Sequence, residues 1–209
     1  LLLLLHHLAA LRACLALLEL SQALRSACSV NRDPLCQLGL SDAAAQRVRA
    51  SQGVSKRGGV ADLKPQHIVK LPSHAARALD ALPRGRAQLT ATAVFGAGAT
   101  PIAEIAAGGE FSVDVTLNVR GRGPRAFYLV LSDDEELIAL KKVVVGGAKC
   151  EASLAVEAPN EGGSWRLVLR AVYDGARGFD ARVELPALRV SAAPKDLSVK
   201  AAEFVMPGS

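Results

Sequence analysis

Aromatic rings are scarce in this chain of 209 residues. Phe, Tyr and Trp make up 4% of it, with one Trp and two Tyr, so any core has to be built from Leu, Val and Ala. Long uninterrupted apolar runs are missing as well. The stretch from Leu1 to Leu24 opens on five leucines, but His6, His7, Arg12, Glu19 and Gln22 interrupt it, with Arg25 just beyond. What remains falls short of the roughly 20 consecutive apolar residues a spanning helix needs, so it reads as neither a signal peptide nor a transmembrane segment. An initiating Met is also missing. Leu1 is therefore expected to be an internal point of a longer polypeptide or the start of a partial reading frame, with a neighbouring module on its N-terminal side.

Charge of one sign is not in large excess. The 25 basic and 20 acidic residues leave a formal charge of +5 and a pI near 9.2, a balance that permits an anionic partner without requiring one. Cysteines stand at 14, 28, 36 and 150, with no C-x-x-C spacing and no histidine at ligand distance, which excludes a zinc site and a dithiol redox motif. An even count permits a disulfide, but a chain this long has a self-sufficient core. Buried free thiols in a reducing compartment are expected.

Catalytic signatures are missing too. There is no Gly-x-x-x-x-Gly-Lys-Ser/Thr loop, and Gly96-Ala97-Gly98-Ala99-Thr100-Pro101 lacks the third glycine and the helix of a dinucleotide fingerprint. No Gly-x-Ser-x-Gly elbow occurs, and His6, His7, His67 and His74 lie in or beside the helical part, away from the acidic cluster. Asp133, Asp134, Glu135 and Glu136 are consecutive acids between two strands; they alternate faces, have no ligand cage, and read as a solvated turn. No catalytic residue, metal, cofactor or small-molecule substrate is expected.

What is present divides at about residue 85. Leu4, Leu8, Leu11, Leu15, Leu18 and Leu24 recur at helical spacing with no Gly or Pro before Pro34, and Leu5, Leu17 and Leu20 add apolar surface off that stripe. This predicts a helix buried on more than one side, as in a bundle. After Pro34, Ser41 is a good N-cap for a helix over 43–50 that ends near Gly53. A glycine-bearing turn and a short helix near 60–63 complete a hairpin, and Ser73 is expected to cap a helix running to Pro83.

From Arg86 the period changes from helical to alternating, most clearly at Phe111, Val113, Val115, Leu117 and Val119. Runs at 89–95, 126–132, 137–145, 149–157, 164–173 and 179–190 bring the expectation to about seven strands, separated by Gly, Pro and Asn turns. The predicted fold is α+β: an N-terminal helical bundle with a helix-hairpin-helix, then an immunoglobulin- or fibronectin-like antiparallel β-sandwich. The divisions are a helical segment over 1–33, the helix-hairpin-helix and short helix over 34–84, the sandwich over 86–193 and a tail over 194–209.

Several strings resemble the Sec-63-like domain, which has this order of elements, and the resemblance spans nearly the whole chain. Phe127-Tyr128-Leu129-Val130-Leu131 looks like that family's paired-aromatic strand, and Leu137-Ile138-Ala139-Leu140-Lys141-Lys142-Val143 like its apolar-then-basic return strand. Glu157-Ala158-Pro159 is similar to its strand-ending turn. Asp174-Gly175-Ala176-Arg177-Gly178-Phe179-Asp180 matches its Asp, Gly, Asp pattern, and Asp33-Pro34-Leu35-Cys36-Gln37-Leu38 looks like its Pro-Leu-Leu-Gln-Leu element. The family usually carries Trp or Phe where Phe127 and Tyr128 stand, and an aromatic where Ala176 stands.

The resemblance implies a non-catalytic accessory module of Ski-2-like helicases, in the nucleus or cytoplasm, docking helicase motor domains or another protein and contacting RNA or DNA. The alternative branch is a cytosolic scaffold of the protein-translocation channel at the endoplasmic reticulum membrane. The Leu-Lys-Lys end of the return strand is more like the helicase branch.

Two basic loops bear on nucleic acid. Lys56, Arg57, Gly58 and Gly59 in the hairpin combine two cations with glycine backbone that allows close approach of a phosphate. Arg120, Arg122 and Arg125 around Gly121 and Gly123 read as a structural turn at a sheet end. Phe127, Tyr128 and Trp165 are expected as core anchors, with Trp165 pointing inward beside Leu167 and Leu169. One of the adjacent pair Phe127 and Tyr128 must face the far side of its sheet, where a helix or a neighbouring domain is expected to cover it.

Overall fold

A computed structural model describes residues 11–52, 60–63, 71–95, 100–121, 123–133 and 136–192. The expected hairpin residues Lys56, Arg57, Gly58 and Gly59, and the 194–209 tail, lie outside the described residues.

Alternation dictates the β half. Along β4 (Glu110–Asn118) Phe111, Val113, Val115 and Leu117 are buried and their neighbours are not, as a strand with one face on a core requires. β1 (Gln88–Phe95), β2 (Thr100–Pro101), β4 and β7 (Lys149–Glu157) form one antiparallel sheet in the order β2-β1-β4-β7. β5 (Arg125–Asp133), β6 (Glu136–Val145), β9 (Leu167–Tyr173) and β10 (Ala181–Glu184) form a second in the order β10-β9-β5-β6. The inner faces of both sheets supply one core, with Val113, Val115, Phe127, Leu129, Leu131 and Leu169 at its centre.

A third, small sheet in the order β3-β11-β8 joins β3 (Glu104–Ala106), β11 (Leu188–Ser191) and β8 (Gly163–Trp165), and its β3–β11 pairing is parallel. That pairing corrects the expectation of a wholly antiparallel arrangement. The expected strand over 164–173 is divided at exposed Arg166, because Trp165 pairs with Leu188 in the small sheet while Leu167 opens β9 in the second. The run over 179–190 divides at Pro186, which has no N–H to give a ladder, between β10 and β11.

β5 is buried on both faces over Val130, Leu131 and Ser132, which is why its sequence is a continuous apolar run rather than an alternation. Phe127, Leu129 and Leu131 point to the common core, while Tyr128 and Val130 point outward to a second apolar cluster under α1 (Leu11–Arg25). That helix lays Leu11, Cys14 and Leu18 on Val130, Leu137 and Val172, with Leu15, Leu17, Tyr128 and Leu140 at the margin.

The helix is seated from one side. Leu20 and Leu24 are 45% and 73% exposed, against the expectation that they would be buried in a bundle. The reason is geometric: the six-residue step from Leu18 to Leu24 turns a helix by about 240° beyond a full turn, so Leu24 leaves the stripe. Gln22 occupies the stripe instead and is buried.

Between α1 and the sandwich lie a 3-10 turn (Pro34–Leu38), α2 (Asp42–Gln52), a second 3-10 turn (Val60–Asp62) and α3 (Ser73–Asp80). Asp33 caps the first, accepting from the Leu35 amide at 2.8 Å, and Gly39 closes it in the left-handed conformation, φ 74°. Ser41 caps α2 through the Ala44 amide at 3.3 Å. Ser73 is the first residue of α3 rather than its cap: Pro72 holds the cap position with no side-chain bond, since the helix begins one residue earlier than the Ser implies. Leu35, Leu38, Leu40, Ala45, Leu71 and Ala75 enter the common core, so the helical half closes one end of the sandwich.

Leu18→Ala is expected to lower stability by about 3 kcal/mol, read as a urea midpoint, because it empties a site 2% exposed. Leu24→Ala is expected to stay within about 0.5 kcal/mol of the parent. Equal losses would show that the helix is covered on both sides.

Candidate functional site

The segment between β9 and β10, residues 174–180, is where the sandwich grips the N-terminal half. Asp174 lies at the end of β9 and is 4% exposed; its carboxylate faces Lys142 Nζ at 2.9 Å and Arg25 Nε at 3.2 Å, and its amide donates to the Ala126 carbonyl. Lys142 lies over the Tyr128 ring, 5.0 Å from its centroid. The Asp174 carboxylate, followed by Tyr128, raises the pKa of that lysine. Two cations from different elements, the last turn of α1 and the return strand β6, thus meet on one buried acid.

Asp180 closes the same loop from the other end. Its Oδ1 accepts from the Tyr173 amide at 3.0 Å and from Gln22 Nε2 at 3.2 Å, and Gln22 also donates to the Tyr173 carbonyl at 2.7 Å. The polar residue in the apolar stripe of α1 is therefore the one that recognises the loop. Phe179 is fully buried and meets Tyr173 edge to face at 5.8 Å, and Tyr173 in turn lies 5.2 Å from Phe127. The Tyr173 ring also explains Gly175: a Cβ there would come within 2.6 Å of the phenol oxygen.

Arg177 is 9% exposed and reaches back across the molecule. Its guanidinium donates to the carbonyls of Val30 at 2.5 Å, Ser29 at 3.0 Å and Arg32 at 3.1 Å, and touches Cys28 Sγ at 3.7 Å. Glu19 lies 3.7 Å away as its counter-charge. The main chain of the same residue is paired with the Gln37 amide, whose Oε1 accepts from Arg177 N at 2.7 Å and whose Nε2 donates to Arg177 O at 3.3 Å. Gln37 stands in the capped turn that Arg49 steadies by pairing with Asp33, and Arg49 holds the Asp33 carboxyl below its ordinary value.

Phe127 is fully buried between the sheets, Trp165 is 6% exposed and edge-on to Phe111 at 6.0 Å, and Tyr128 is half-buried on the outer face against α1. The Trp165 indole donates to the Asp133 carboxylate, so one of the four consecutive acids is occupied. Cys14, Cys28 and Cys36 are buried thiols and Cys150 is half-buried. Burial, and then the Asp42 carboxylate 3.3 Å away, push the Cys36 thiol up to about 11. Among the described residues no group of three or more His, Cys, Asp or Glu is placed to hold a metal ion. The charged groups of the clasp pair mainly with one another and with main chain, although Arg177 Nε has no hydrogen-bond partner and Asp174 Oδ1 has only the ion pair with Arg25. Arg177 and Gln22 carried no sequence signal beyond their types; only the Asp, Gly, Asp string marked the loop.

Two outcomes follow from this geometry. Burial lifts the Asp180 carboxyl from 3.8 to about 6, against the hydrogen bonds from Tyr173 and Gln22. Such a group stabilises the fold fully below its unfolded pKa, and the contribution is lost as the pH rises through 6; the swing is on the order of 3 kcal/mol. Asp180→Asn keeps the acceptor without the charge, so its urea midpoint is expected to lose this fall between pH 4 and 6; profiles that superimpose would remove the idea. Arg177→Ala removes hydrogen bonds to three carbonyls and is expected to cost on the order of 3 kcal/mol, with hydrogen exchange rising at residues 28–38. Arg177→Lys, which cannot fork, should fall between.

No family model and no curated protein sequence matches this chain. Solved structures that align include the CARDB domain of a Pyrococcus furiosus protein in complex with di-metal ions, at 13% identity and TM-score 0.36, over 51% of this chain and 90% of that one. A β-glucosidase from Listeria innocua in complex with glucose aligns at 15% identity and TM-score 0.33, over 51% of this chain, which spans only 16% of that enzyme. A family 123 glycoside hydrolase from Clostridium perfringens aligns at 10% identity and TM-score 0.34, over 51% of this chain and 28% of its own. At these scores the architecture rests on the strand pairing described above.

Proposed function

We propose that this chain is a non-catalytic accessory module of the Sec-63-like kind, serving a Ski-2-like helicase motor in the nucleus or cytoplasm. The observation that carries the reading is the meeting of two distant strings on which the resemblance rests. Gln37, in the Asp33 to Leu38 element, exchanges two hydrogen bonds with the main chain of Arg177, in the Asp174 to Asp180 element. A match between strings that were unrelated in space would carry little; strings that fasten to each other form one recognition unit of the fold.

The finer architecture agrees with it. The sheet orders β1-β4-β7 and β10-β9-β5-β6 correspond to strands A-B-E and G-F-C-C′ of an immunoglobulin- or fibronectin-like sandwich, and α2 followed by the turn Val60–Asp62 flanks the hairpin expected at 53–59. In this reading the clasp holds the 3-10 turn Pro34–Leu38 against the sandwich. The sandwich docks the motor, and Lys56 and Arg57 touch the phosphates of the strand being moved.

The test is fluorescence anisotropy of a labelled single-stranded RNA and its DNA counterpart in rising KCl. Lys56→Ala with Arg57→Ala removes two phosphate contacts and is expected to lower the log–log salt slope by about 1.4. Unchanged affinity and slope would exclude the hairpin as the contact. A parent protein with no salt-dependent binding would turn the reading to the translocon scaffold.

A further inference from the structure

The base of the sandwich carries a cleft that differs from four others among the described residues. It has a volume of about 400 Å³ and is lined by Arg84, Arg86, Arg120, Gln88 and Asn118 with the backbone of Gly85, Val119 and Ala148. Among the described residues no carboxylate lines it. Four other clefts are lined either by Glu110 and Glu157, by Glu104 and Glu110, by Asp114 and Glu151, or by a single arginine, Arg189.

Three strand ends build it. Gln88 opens β1 opposite Asn118 at the close of β4, and Asn118 faces Lys149 at the start of β7. The Arg84 amide donates to the Arg120 carbonyl at 2.8 Å, and the Val119 amide to the Ala148 carbonyl at 2.8 Å, which draws the helical half's last segment and the loop after β4 together. Arg84 and Arg120 are exposed, and among the described residues no carboxylate pairs with either. Arg86 meets Asp62 at 3.3 Å with its own side chain 57% exposed, an ion pair weak enough to exchange.

A fourth guanidinium lies close behind. Arg125 is 4% exposed and is held by the carbonyls of Gly123 at 3.0 Å and Leu82 at 3.4 Å, with its Nε unpartnered and no carboxylate beside it among the described residues. Its loop is shaped around it: Gly121 has φ 129°, and a Cβ there would come within 2.5 Å of Arg125 Nη2. A buried, unneutralised cation two residues from Arg84 along the contact chain strengthens the positive field of this corner.

We propose that this cleft binds the phosphodiester backbone of single-stranded nucleic acid, Arg84 and Arg120 each taking a phosphate and Gln88 and Asn118 offering amide hydrogens to phosphate or sugar oxygens. Planar guanidinium forks fit phosphate oxygens in pairs, and amides serve both as donors and as acceptors for a ribose hydroxyl. Among the described residues no aromatic ring lines the cleft, so it tracks the backbone without stacking on bases and without reading sequence. The choice of ligand rests on the nucleic-acid half of the proposed function; the site's own residues do not include Lys56 or Arg57.

The experiment titrates the intact chain with a labelled single-stranded RNA over a series of salt concentrations. Arg84→Ala with Arg120→Ala is expected to lower the log–log slope by about 1.4 and the affinity on the order of tenfold at 0.1 M salt, on top of any effect of Lys56→Ala with Arg57→Ala. Arg84→Lys with Arg120→Lys should restore the slope but not the whole affinity, which separates a phosphate contact from a change in the fold. In ¹H–¹⁵N spectra the side-chain amides of Gln88 and Asn118 should shift with the RNA. If the hairpin variant alone weakens binding and the arginine variant does not, the cleft is overturned while the functional reading stands. If the arginine variant alone weakens it, the cleft stands and the hairpin contact falls. Displacement of the shifts by a poly-glutamate peptide, with no response to RNA, would overturn the proposal in favour of an acidic protein segment.

Discussion

Arg177 is only 9% exposed, and a cation with so little water around it is tolerated where acceptors are held in place beforehand for its hydrogens, as they are for those on Nη1 and Nη2. The acceptors are main-chain oxygens of Ser29, Val30 and Arg32, in the turn that follows α1. The Ser29 carbonyl also accepts from the Arg32 amide, but the turn belongs to neither helix nor sheet, so the guanidinium adds bonds to a segment with little main-chain pairing of its own. The debt runs in both directions, and so the loop after β9 and the turn after α1 stabilise each other. Gln22, Asp180, Arg25 and Asp174 repeat the pattern on the flank of α1. The helical half is therefore fixed to the sandwich by polar groups of exact reach as well as by Leu11, Cys14 and Leu18, whose apolar contact alone would allow the helix to slide.

The period-2 pattern made most of the β half legible. β4 and β7 alternate cleanly, β6 does so apart from the exposed pair Lys141 and Lys142, and β5 is legible as a strand covered on both faces from its unbroken Phe-Tyr-Leu-Val-Leu run. What escaped was governed by pairing rather than by pattern. β2 and β3 are two and three residues long, too short for a period to show, and they exist because β1 and β11 offer them an edge. The chain changes sheets at Arg166 and at Pro186, and nothing in the alternation of Trp165, Leu167 and Leu169 announces that Trp165 belongs to a different ladder from the leucines. In α1 a leucine count took Leu24 for a stripe residue; the angle, not the composition, decides, and it places Gln22 there.

The clasp was legible as a string and not as a mechanism. Asp174 and Asp180 are marked by their spacing, but a seven-residue motif does not say that its central Arg177 spans to residues 29–32, since that contact depends on the return of the chain after the whole sandwich has formed. The same holds for the cleft at the base. Arg120 and Arg125 are close in sequence and read as a turn; Arg84 and Arg86 read as a boundary between halves. They become one charged corner only when β1 and β4 pair in register from Gln88 and Asn118.

That convergence has an electrostatic consequence. Guanidinium groups spread over a surface are screened from one another within about 10 Å at 0.1 M salt, so scattered arginines amount to little more than solubility. Gathered around one cleft, with Arg125 held by the Leu82 carbonyl and Asp62 as the acid paired there, their fields add. Like charges held together cost folding free energy, and this chain bears the cost in part through backbone oxygens, those of Gly123 and Leu82 on Arg125, instead of through carboxylates. A carboxylate would neutralise the corner, whereas a carbonyl dipole steadies the cation and leaves its field directed outward. The arrangement keeps positive potential at a place where the +5 net charge of the chain alone would not put it.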